Sequence, residues 1–76
     1  MNTLQIVKAR DIAYGDELLV TVLDSPVPTV HKVQAASLFL NEKLELHQVL
    51  IQLQDNGNEF VLNADDTVCT VVYIPQ

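Results

Sequence analysis

The chain has 76 residues, 49% hydrophobic but only 5% aromatic, and its four basic and ten acidic side chains give a net charge of −6. That length holds one domain with an aliphatic core. The lone cysteine, Cys69, excludes an intramolecular disulfide and the zinc or iron–sulfur sites built from several thiolates.

The charge is uneven. Residues 1–40 carry a net −1 and residues 41–76 a net −5. Such a chain repels nucleic acid, so no direct nucleic-acid binding is expected. Met1 to Arg10 places its charges after the apolar residues rather than before them, unlike a secretory leader. Apolar runs such as Val49-Leu50-Ile51 fall far short of the roughly 20 residues of a membrane helix. With no cysteine pair, a soluble, cytoplasmic protein is the expectation.

The first segment, Thr3 to Lys8, sets Leu4 and Ile6 on one face and Val7 on the other. Tyr14-Gly15-Asp16 reads as a turn, with Gly15 free to take a positive φ. Glu17 to Leu23 alternates Leu18, Val20 and Val22 against Leu19, Thr21 and Leu23, which suits a strand. Asp24-Ser25-Pro26-Val27-Pro28 breaks it, because two prolines fit neither a helix interior nor a central strand.

Residues 29–48 support two readings. As strands, Val30-His31-Lys32-Val33 begins one, and Asn41-Glu42-Lys43 turns a hairpin. As a short helix, Val33, Ala36, Leu40 and Leu44 recur at helical spacing, with Thr29 as N-cap. The strand reading is preferred.

From residue 49 the alternation is clear. Val49, Ile51 and Leu53 oppose Leu50, Gln52 and Gln54. Asp55-Asn56-Gly57-Asn58 follows, and Asn-Gly is a strong signal for a type I′ hairpin turn. Phe60 and Leu62 share a face of the returning strand. Asn63-Ala64-Asp65-Asp66 makes another turn. Thr67 to Ile74 forms the last strand, ended by Pro75; both its faces are apolar, which implies a central position.

The run Val7-Lys8-Ala9-Arg10-Asp11-Ile12-Ala13-Tyr14-Gly15-Asp16-Glu17-Leu18 resembles the opening of small SH3-like and Hint-like β-barrel domains. The valines Val30 and Val33, the Ile51–Leu62 hairpin and the pair Asp65 and Val68 continue the likeness over most of the chain. The resemblance implies a mainly β, SH3-like barrel of about five to six antiparallel strands in a single domain over 1–76. Hint domains that process themselves begin with a nucleophilic Cys or Ser and carry a Thr-x-x-His block. Here the start is Met1-Asn2-Thr3, and Pro28 and Leu44 stand three residues before His31 and His47. Many small barrels of this shape, in bacteria and their viruses, are binding or assembly modules.

Chemistry-bearing residues are sparse. His31, His47 and Cys69 with Asp65 or Asp66 would make a zinc set, but none of the three lies within four residues of another, so local ligand spacing is absent. Cys69 paired with a histidine would make a nucleophile and base, but the surrounding Thr67-Val68-Cys69-Thr70-Val71 suits inert packing. Asp16-Glu17 and Asp65-Asp66 point to opposite faces of a strand and serve turns better than catalysis. No catalytic residue, metal or cofactor is therefore expected. The candidate binding surface is Tyr14, Arg10, Lys32, Tyr73, Asp65 and Asp66.

Three functions follow in order. The first is a non-catalytic protein-binding or assembly module whose partner is a further copy of itself, suggested by aliphatic excess and open strand edges. The second is an acidic inhibitor, a nucleic-acid mimic that fills a basic groove on an enzyme. The third is a nucleotide-type small-molecule binder with sites between subunits, using Lys8, Arg10, Lys32 and Tyr14.

Overall fold

A computed structural model describes residues 2–20, 27–55 and 57–73. Six strands make one antiparallel sheet: β1 (Asn2–Lys8), β2 (Glu17–Val20), β3 (Thr29–Asn41), β4 (Leu46–Leu53), β5 (Glu59–Asn63) and β6 (Thr67–Tyr73). Their order is β1-β6-β2-β3-β4-β5. β1 pairs with β6 and β5 with β4, and these two outer strands do not pair with each other, so the sheet is open. β6 lies between β1 and β2, the central position its two apolar faces imply.

Residues 29–48 form a hairpin rather than a short helix. β3 runs 13 residues, and a turn precedes β4. The helical spacing has a specific cause. Val33 pairs with Leu53, but Ala35 pairs with Gln52, so Gln34 is a β-bulge. The extra residue shifts the inward phase from odd to even positions. Val33 and Ala36, three apart, therefore face the same side. Gln54 secures the bulge, its amide N–H donating to Lys32 O at 2.9 Å and its side-chain Nε2 to Val33 O at 3.4 Å.

The core consists of Ala9, Ile12, Leu18, Val33, Val49, Ile51, Leu53 and Ala64, with Val7, Val20, Ala36, Phe60, Leu62 and Val68 packed around it. The alternation read from residue 49 onward is thus the inward face of β4 and β5. A short 3-10 turn, Ala9–Asp11, was not evident in the sequence. It closes one end of the core: Ala9 N donates to Asp66 O at 2.8 Å and Arg10 N to Ala64 O at 3.0 Å. The next turn docks on β3, with Gly15 N donating to Val33 O and Val33 N to Asp16 O at 3.0 and 2.8 Å. Gly15 has φ +88° and Gly57 φ +68°, as the two turn readings require. The continuation of the second strand over 21–23, the break at 24–26, Asn56, Ile74 and Pro75 lie outside the described residues.

Candidate functional site

Cross-strand register assigns each side chain of the β1-β6-β2-β3 half to a face, because directly opposed residues project to the same side. Gln5, Thr70, Leu18 and His31 form one row facing the core. Thr70 is buried there, and its hydroxyl donates to Gln5 O at 3.2 Å. Leu4, Val71, Glu17 and Lys32 form a row on the opposite, outward face. Ile6 beside Cys69 and Leu19 beside Val30 extend that face. It is thus largely aliphatic, with Glu17 and Lys32 near its centre and Lys8 opposite Thr67 at one end. Leu4 is 60% exposed and Ile6 73% exposed, and both sit on the outermost strand.

A polar cleft of about 390 Å³ lies at the end sealed by the 3-10 turn, lined by Arg10, Leu46, His47, Asn63, Asp65 and Asp66 among others. Three of the predicted surface residues, Arg10, Asp65 and Asp66, meet here. Arg10 Nη2 is 2.9 Å from Asp65 Oδ1, and Lys8 Nζ is 3.8 Å from the same oxygen. All three side chains are well exposed, so water screens the pairs. Tyr14 and Lys32 do not line this cleft. Tyr14 is 71% exposed in the turn before β2, and Lys32 lies across from Glu17 on the outward face. The backbone of Tyr73 pairs with Asn2. The six residues therefore do not form one surface.

One constellation was missed by sequence reasoning. His31 Nδ1 is 2.7 Å from Asp55 Oδ2, and His31 Nε2 is 2.6 Å from Thr29 Oγ1. An ionised carboxylate only accepts, so Nδ1 carries a proton; in the neutral ring Nε2 then accepts from the Thr29 hydroxyl. The order hydroxyl–imidazole–carboxylate is that of a nucleophilic triad. Thr29 is exposed on β3, and neither the cleft above nor a second of about 440 Å³ beside Gln5, Asp16 and Thr70 includes any of the three residues. As a structural device the set ties β3 to the β4–β5 turn across 24 residues of sequence. No local motif announces a contact of that span.

The residues weighed for zinc sit apart: His31 with Asp55, His47 on the polar cleft, Cys69 on the outward face. Among the described residues, no group of three or more His, Cys, Asp or Glu side chains converges on a common point. No helix of the described residues is long and apolar enough to cross a membrane. No protein-family model matches the chain, and comparison with curated proteins and with solved structures finds no match.

Proposed function

We propose that this open six-stranded β domain is a non-catalytic binding module that assembles with further copies of itself. One observation supports this most: the aliphatic outward face built on β1, where Leu4 and Ile6 are 60% and 73% exposed. Contiguous apolar surface of that kind is favoured to leave water when a second surface covers it. Isologous contact between identical copies is the commonest way to cover it. The SH3-like barrel reading belongs to this proposal; it is supported by the bulge in β3, a device that bends strands, and by the 3-10 turn at one end of the core. Analytical ultracentrifugation over low to high micromolar concentration tests the reading. A rising weight-average mass is expected; a constant monomer mass overturns it.

A further inference from the structure

We infer that β1 is the docking edge for a second copy of this chain, which adds its own β1 antiparallel to extend the sheet. The inference rests on the self-association proposed above and specifies its geometry.

The backbone of β1 has a defined polarity. Thr70 Oγ1 donates to Gln5 O, and Ala9 N donates to Asp66 O, so the backbone groups of the odd residues turn toward β6 and the turn before it. Strand residues alternate, so the N–H and C=O groups of Leu4 and Ile6 point to the open edge. Such a row is a template for another strand, and natural edges are usually blunted by charge, proline or bulges. From Asn2 to Val7 the strand has no charged residue, no proline and an unbroken register with β6.

The same residues select a second copy as the occupant. Pairing two β1 strands antiparallel about a two-fold axis at Gln5 sets Leu4 opposite Ile6 and Ile6 opposite Leu4. These are the residues whose backbone groups face outward, so hydrogen bonding and side-chain packing agree on one register. Lys8 then faces Asn2 rather than another lysine. Leu4 and Ile6 of one copy then cover Ile6 and Leu4 of the other across the junction, and it is this contact that takes the most exposed part of the aliphatic face out of water.

Charge separates this edge from the other. β5 begins at Glu59, so copies meeting there bring carboxylates together. β1 carries no charge from Asn2 to Val7, and the Lys8 that ends it shares Asp65 with Arg10. Mutual repulsion is therefore least where β1 meets β1.

In the proposed register Gln5 opposes itself as a non-hydrogen-bonded pair, where Cα atoms lie about 4.5 Å apart, within reach of a disulfide. Gln5→Cys is compared with Val61→Cys on the β5 edge, both in a Cys69→Ser background, under mild oxidation. Gln5→Cys is expected to form the intermolecular disulfide far faster. Ile6→Pro, which removes an outward N–H and leaves the bonds to β6, is expected to weaken the dimer by about tenfold or more. Wild-type association with no preferential Gln5→Cys cross-link, and with Ile6→Pro still dimeric, overturns the β1 edge but leaves self-association standing. A wild-type chain that remains monomeric overturns both.

Discussion

Ile51 is wholly buried opposite Ala36 on one side and Phe60 on the other. Eight buried hydrophobic residues among those described leave little to spare in a domain of this size. Ile51→Val should cost about 1 kcal/mol and Ile51→Ala about 3 kcal/mol in urea denaturation, while Ser37→Ala on the exposed face stays within about 0.5 kcal/mol. His31 offers a different test. Its side chain is only 14% exposed and is held on both ring nitrogens. Asp55→Asn keeps the shape but can present an N–H to the protonated Nδ1, so we expect a loss of about 1–2 kcal/mol. A double-mutant cycle with His31→Ala should return a coupling energy above about 0.5 kcal/mol; additive losses would mean the contact does not stabilise the fold. Alternation identifies Ile51 as a core residue from its neighbours alone. His31 and Asp55 could not be joined that way, because their contact depends on a register set by the bulge between them.

That bulge matters at the scale of the element. Inward residues recur every two positions on either side of Gln34 and three positions across it, which imitates a helical period over Val33, Ala36 and Leu40. Turn chemistry favours the hairpin: Asn41 Oδ1 accepts from the N–H groups of Lys43 and Leu44 at 3.1 and 3.3 Å. Deleting Gln34 should therefore remove the bend while keeping the inward face. Val33 and Ala36 then stand two positions apart on one face of a regular strand, so a lowered melting temperature with cooperative unfolding retained is the expected readout. In the same hairpin Glu45 holds φ +56°, a left-handed conformation that costs a residue with a Cβ about 1 kcal/mol. Glu45→Gly should raise stability by several tenths of a kcal/mol up to about 1 kcal/mol despite the added freedom of the unfolded chain. Strands β4 and β5 and their connecting turn were legible because nothing interrupts their alternation. The 3-10 turn was not, since its three residues carry no periodic signal and its place depends on the distant Ala64 and Asp66.

At the scale of the molecule, charge sets the conditions for assembly. Two copies of net charge −6 repel at long range, while the β1 edges are apolar. Raising ionic strength from about 0.02 M to 0.5 M shortens the screening length from about 20 Å to below 5 Å, so association should strengthen with salt. Weakening with salt would instead point to contact through ion pairs. The sequence made the open edges and the acidic half visible, but not which edge is uncharged and faces outward, because that depends on strand order.

The body is also uneven in thickness. The radius of gyration is 12.9 Å, against about 11 Å for a compact domain of this length, and the extents are 45 × 29 × 19 Å. Leu38 and Leu40 face the same side as Val49 but are each 54% exposed, so the far end of the β3–β4 hairpin outruns the layer that covers its base. Its outer face is laced by amides instead: Asn41 donates to Gln48 at 2.8 Å, and Gln48 to Asn63 at 3.0 Å. Interlocked amides hold register but exclude little water. Deuterium should therefore reach the amides of Phe39 and Leu40 well before those of Val33 and Ile51, and the hairpin tip should breathe on its own while the rest of the domain stays shut.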